Sequence, residues 1–155
     1  MGLGKAAKPR DGVVVLVLHG SRLLLLRRRR IPFITAPGIW FFVTGGRRRG
    51  ERYIDAAYRE VLEETDIGRD SLEPVSSIRS VRLFDPVRRD GTVWSNRLFL
   101  FRSNTGSVRL NMENSAFRWA SRRQIGKRDG YTNMFVDERG FAAWLGKRVR
   151  DDAGR

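Results

Sequence analysis

Arg59-Glu60 and Glu63-Glu64 are the residues of this chain whose types and spacing best suit them to chemistry. Residues three and four apart share one face of a helix, so Glu60, Glu63 and Glu64 would make a tight anionic patch with Arg59 beside it. Carboxylates held that close repel unless a cation lies between them. Against a background of 31 Lys+Arg and 17 Asp+Glu, such a local concentration of acid points to a site for a hard divalent metal. Mg2+ takes oxygen ligands and is commonly bound by one or two carboxylates together with substrate phosphates. Just upstream, Gly45-Gly46 reads as a glycine turn, and glycine lets the main chain approach a ligand closely.

The element that must position these groups is a helix from about Arg52 to Thr65. Ile54, Ala57, Tyr58 and Val61 form its expected buried stripe, leaving the glutamates on another face. Gly68 can end it, and Asp66 tolerates left-handed geometry better than most residues. Before the helix, Val13–Leu18 reads as a strand buried on both faces, His19-Gly20-Ser21 as an exposed turn, and Arg22–Arg28 as the returning strand of a hairpin. Trp40–Val43 is expected to be a short strand feeding the glycine turn. After the helix, Pro74–Asp85 and Thr92–Arg102 are expected strands across a turn at Arg88-Arg89-Asp90-Gly91. A short extended stretch at Val108–Met112 and a strand at Ala116–Trp119 follow. Ser121–Gly126 reads as a capped helical turn and Asn133–Val149 as a closing helix with Phe135, Phe141, Trp144 and Leu145 inside. Strands, a central helix, more strands and a final helix imply a mixed sheet between helices.

The segment from Gly45 to Ile67 resembles the signature box of the Nudix hydrolases. Gly45, Glu51, Arg59, Glu60, Val61, Glu63, Glu64 and Ile67 fall in register with it, and Asp66 stands where the box has its last Gly. The resemblance implies an α/β fold, a Nudix-type α/β/α sandwich with a mixed β-sheet. It implies Mg2+ or Mn2+ held by Glu60, Glu63, Glu64 and the backbone carbonyl of Gly45. It casts Arg59 and Glu51 as an internal ion pair that orients the helix. The implied reaction is attack of an activated water on a phosphorus within a diphosphate linkage. Glu63 or Glu64 could serve as the general base, and so could Glu113, because related enzymes often place an acid in a loop before a late strand.

A narrower resemblance lies outside the box. Trp40 followed by Val43-Thr44-Gly45, the residue Asp66, Glu113 ahead of Phe117-Arg118-Trp119, and Tyr131-Thr132-Asn133 look like the dihydroneopterin triphosphate pyrophosphatases, which also cleave dATP-like nucleotides. Arg47 and Arg48 depart from that group, which has an aliphatic and an acid there, so altered contacts are expected just after the glycine turn. The implied activity converts a nucleoside triphosphate or related triphosphate into monophosphate and pyrophosphate. The alternatives are another diphosphate (dinucleoside polyphosphate, ADP-ribose or the 5′ end of RNA) or a non-catalytic basic module that binds nucleic acid. Arg27, Arg29 and Arg82 are candidates to contact phosphate. Trp40, Phe84, Trp94 and Phe135 are candidates for a slot that takes a ring.

Composition sets the outer bounds. The length of 155 residues suits one domain, expected over 12–150 between a basic lead-in at 1–11 and a tail at 151–155. There is no cysteine, hence no disulfide, zinc-thiolate or cysteine nucleophile. No apolar stretch approaches the roughly 20 residues that span a bilayer, the N-terminus lacks the apolar run of a secretory signal, and a cytoplasmic setting follows. The net charge of +14 would serve a polyphosphate substrate, nucleic acid or an anionic surface, and the excess of arginine suits bidentate binding of phosphate.

Overall fold

The computed structural model describes residues 11–32, 37–84, 93–127 and 135–150. The expected turn at Arg88–Gly91, the Tyr131-Thr132-Asn133 motif, most of the lead-in and the tail lie outside them. Strand β1 (Gly12–His19) runs through the middle of the sheet, with β2 (Arg22–Arg28) folded back on it. Alternate side chains of β1 enter two cores: Val14, Leu16 and Leu18 on one face, Val13, Val15 and Val17 on the other. Burial on both faces is why the run reads as continuously apolar. Each such side chain removed from water stabilises the fold by about 1.5–3 kcal/mol.

The strands β1 and β2 pair only near their shared turn and then diverge, and residues 40–46 bridge the gap. Trp40 and Phe41 form β3 and pair with β2, whereas Val43–Gly46 form β4 and pair with β1. The expected strand Trp40–Val43 is therefore broken at Phe42, whose ring drops into the core against Phe41, Phe135 and Phe141. Gly45 and Gly46 belong to β4, not to a turn; the turn follows at residues 47–50, with Gly50 at φ 76°.

Helix α1 (Tyr53–Thr65) packs over β1 and β4, filling the second core with Ala56, Ala57, Tyr58 and Val61. Its last residue is followed by Asp66 at φ 61°, whose N–H donates to the Leu62 carbonyl at 2.9 Å. Asp66 thus makes the left-handed cap usually given to glycine. Strands β5 (Leu72–Phe84) and β6 (Val93–Ser103) form an antiparallel pair, and β6 runs parallel to β1, which makes the sheet mixed. The stretch at residues 108–112 is irregular, although Val108 and Leu110 pack on the second core.

Strand β7 (Asn114–Ser121) pairs with β2. Ser121 and Gln124 exchange reciprocal bonds at the start of α2 (Arg122–Lys127). The closing helix α3 spans Glu138–Gly146, later than expected, because the Asp137 side chain caps it by accepting from Gly140 N–H at 2.9 Å. Phe135 lies before that cap in a bridge to Leu83, with its ring stacked on Phe141. Ile125 of α2 and Phe141 and Leu145 of α3 pack on the first core, opposite α1, so helices cover both faces of the sheet.

Candidate active site

Glu60 and Glu64 lie one turn apart on α1 and both are buried, Glu60 against β4 and Glu64 within reach of Asn114 of β7. Glu63 is more open, its side chain 46% exposed. The Glu60 carboxylate lies directly against Gly45: a Cβ on Gly45 would come within 1.9 Å of Glu60 Cδ. Any side chain at position 45 would therefore displace the carboxylate.

Arg59 is the hub of this arrangement. Its Nε and Nη2 donate to the two carboxylate oxygens of Glu51 at 2.8 and 3.0 Å, and Nη2 also donates to the Gly46 carbonyl at 2.8 Å. Its Nη1 reaches Glu60 at 2.6 Å and Glu63 at 3.4 Å. Hydrogen bonds from Arg59, then from the Arg48 N–H, hold the Glu51 carboxyl down at about 2, and the same pair raises Arg59. Glu51 is thus tied to the helix from the preceding loop, and Arg59 joins helix, loop and β4.

Two guanidinium groups thread the acidic patch. Arg59 lies between Glu60 and Glu63, and Arg48 Nη2 approaches the far oxygen of Glu63 at 3.3 Å. Among the described residues no three acidic or imidazole groups converge as a ready-made cation cage. Arg52, at the helix start, pairs with Asp55 and not with these glutamates.

Glu64 is the opposite case. Burial, followed by the charges of Glu60 and Glu113, pushes its carboxyl well up, and the Arg28 charge and an Asn114 hydrogen bond only partly oppose that. Burial is also the main cause of the upward shift at Glu60; the Arg59 hydrogen bond and charge oppose it, and the charges of Glu63 and Glu113 add to it. The charge of Glu113 thus acts on both buried acids from across the chain. Its loop is shaped by Asn111, whose Oδ1 accepts from the Glu113 N–H and from Asn114 Nδ2, both at 3.2 Å.

Arg29 occupies that loop too. Its Nε donates to the Met112 carbonyl at 2.8 Å and Nη2 to the Asn114 carbonyl at 3.2 Å. The structure gives it main-chain partners where the sequence suggested phosphate. Arg27 sits in β2 opposite Ala116 and Trp40, and Arg82 is exposed on the outer strand β5, away from α1.

The aromatic candidates do not gather at the acids. Trp40 packs on the first core under the Arg118 guanidinium, 4.2 Å from its ring centre, and Phe135 is core. Phe84 and Trp94 lie on the β5–β6 pair. His19 is not an exposed turn residue: its Nδ1 is 3.1 Å from the Ser103 carbonyl and its ring packs on Trp119. Arg47 departs from the narrower resemblance because it is tied to Asp11 at 2.6 Å and to the Glu51 carbonyl at 2.9 Å.

The donor set fits a hard divalent cation. Glu64 is buried under the charges of Glu60 and Glu113, which a bound cation would relieve, and Glu60, held by Arg59, lies one turn away where it would share that ion. The bond from Asn114 to Glu64 and the pairing of Arg48 with Glu63 were not expected from the sequence. Asn114 stood beside Glu113 and could have been found there, but nothing linear joins Arg48 to Glu63.

A family model described as NUDIX domain matches residues 8–145. No curated protein matches the chain. Among solved structures, a C. elegans Ap4A hydrolase binary complex is 22% identical, with TM-score 0.66, over 89% of this chain and 98% of that one. The MutT protein from Methanosarcina mazei Go1 is 22% identical, with TM-score 0.70, over 92% and 99%. The NUDIX domain of Shewanella oneidensis NrtR complexed with ADP ribose is 12% identical, with TM-score 0.65, over 97% and 94%. At these identities the likeness is one of fold.

Proposed function

Since the chain belongs to the NUDIX domain family, we propose that it is a divalent-metal-dependent pyrophosphohydrolase that converts a nucleoside triphosphate or related triphosphate into monophosphate and pyrophosphate. The observation that carries this reading is the pair of buried acids, Glu60 and Glu64, under the charge of Glu113. Glu60, Glu63, Glu64 and the Gly45 carbonyl are the groups that would hold Mg2+ or Mn2+. Such an ion, when bound, lowers the pKa of water and neutralises charge on the phosphates.

The protein's own groups do the rest. Arg59 and Glu51 fix the helix against its loop, so that Glu60 meets Gly45 in one register. Glu113 accepts the proton of the attacking water, a role supported by its charge reaching both Glu60 and Glu64. Glu63 or Glu64 is the alternative base. Glu63 would have to leave Arg48, at 3.3 Å, and Arg59, at 3.4 Å, to take part in holding the cation.

Support for a triphosphate comes from Trp40, the Val43-Thr44-Gly45 run, Asp66 as left-handed cap, and Glu113. The structures named above bear the names of other diphosphates, Ap4A and ADP ribose, and those are the competing substrates. No helix among the described residues is long and apolar enough to cross a membrane, and we place the enzyme in the cytoplasm.

A panel of dATP, dihydroneopterin triphosphate, Ap4A, ADP-ribose and 5′-triphosphorylated RNA, assayed with Mg2+, tests the reading. The expected result is pyrophosphate release with the highest kcat/KM on a small triphosphate. Turnover confined to Ap4A, ADP-ribose or RNA would overturn the substrate class. No turnover, with nucleic-acid binding that falls steeply with salt, would instead favour a binding module.

A further inference from the structure

We propose that Arg29 is a positioning residue that sets the Glu113 loop, and not a phosphate ligand. Three successive carbonyls of that loop accept from this one residue. The Arg29 N–H donates to the Glu113 carbonyl at 2.8 Å, while its side chain takes Met112 at 2.8 Å and Asn114 at 3.2 Å. Arg29 is the first residue after β2, so the clamp ties the loop to a strand that is itself buried in both cores.

Other anchors flank the loop: Leu110 packs on the second core and Asn114 opens β7 opposite Arg28 of β2. Met112 is 63% exposed, so apolar burial contributes little there. The Asn111 side chain shapes the turn from inside but does not fix it to the sheet. Where the loop sits decides how close Glu113 comes to Glu60 and Glu64, and whether the buried Asn114 amide reaches Glu64. A planar guanidinium spans two carbonyls at fixed geometry, which a single ammonium reproduces poorly. The inference rests on Glu113 acting in the reaction proposed above.

The test combines steady-state kinetics of Arg29→Met and Arg29→Lys, each made alone and with Glu113→Gln, with hydrogen exchange at residues 111–114. Arg29→Met should lower kcat by about 10–100-fold, the usual cost of losing an orienting partner. KM should stay within about twofold, since no ground-state contact to substrate is lost. Arg29→Lys should recover part of kcat. In the Glu113→Gln background Arg29→Met should cost nothing more, since the two act through one group. Exchange at residues 111–114 should rise at least about tenfold, the local stability falling by one to two hydrogen bonds.

A raised KM at unchanged kcat would make Arg29 a substrate ligand and overturn the inference. So would additive losses in the two backgrounds, or unchanged exchange. Full activity of Glu113→Gln would overturn the role of Glu113 and the catalytic part of this inference with it. Loss in Glu113→Gln with none in Arg29→Met would overturn the inference alone.

Discussion

The carboxylate of Glu60 rests on the Cα of Gly45, in a space that a Cβ would fill to within 1.9 Å. A strand residue without a side chain and a buried acid on the neighbouring helix thus define each other's place. Gly45→Ala should push the carboxylate out of its place while the sheet pairing to Val13 persists. Affinity for Mn2+, followed by calorimetry, should fall at least about tenfold, with about 1–2 kcal/mol of stability lost to overpacking. Undiminished Mn2+ affinity would show that Glu60 has no part in holding the ion.

The bond from Arg59 to Glu51 is structural and should be read in stability. The Glu51 carboxyl titrates at about 2 in the fold, below its ordinary 4.5, so its contribution is fully present above 4.5. That contribution is lost as pH falls from 4.5 towards 2. Glu51→Gln should destabilise the protein by about 1–2 kcal/mol at neutral pH, in line with hydrogen bonds to a charged partner. Denaturant melts should show that difference shrinking below pH 4.5. A difference independent of pH would mean that packing, not charge, holds the loop.

Glu64 should behave in the opposite sense. Its carboxyl is raised by burial and by neighbouring acids, so without metal its ionisation costs stability that returns as pH falls. Glu64→Gln should therefore stabilise the metal-free protein at pH 8 by at least about 1 kcal/mol, or roughly 2–4 °C in Tm. The gain should vanish in acid and in excess Mg2+. A lower Tm at pH 8 would show that Arg28 and Asn114 compensate the Glu64 charge in full.

Local rules made much of this arrangement legible in the sequence. The strand at β1 announced itself as an unbroken apolar run, and α1 through its 3.6-residue stripe. Asp66 was expected to accept the left-handed cap, and it does so at φ 61°. What escaped detection depends on contacts distant in sequence. The break at Phe42 arises because β1 and β2 diverge, which neither strand encodes alone. Helix α3 starts at Glu138, later than expected, because the Asp137 side chain caps it. Arg29 read only as a candidate phosphate contact or a solvated charge, because a charge run does not reveal which carbonyls will fold against it.

Arg48 offers a smaller test of the same site. Its contact with Glu63 at 3.3 Å is exposed on both sides, and such pairs are worth about 0–1 kcal/mol. Arg48→Ala should leave Tm within about 2 °C and tighten Mn2+ binding by no more than about fivefold. Weaker Mn2+ binding would show that Arg48 supports the site instead of competing with the ion.

The central claim is that the acids of α1 hold the ion on which hydrolysis depends. Its most direct measurement is kcat for triphosphate hydrolysis under saturating Mg2+ in Glu63→Gln and Glu64→Gln, with folding checked by circular dichroism. Both variants should keep the fold and lose about 100-fold or more in kcat, the scale at which removing an electrostatic stabiliser is felt. Full turnover in both would contradict the account.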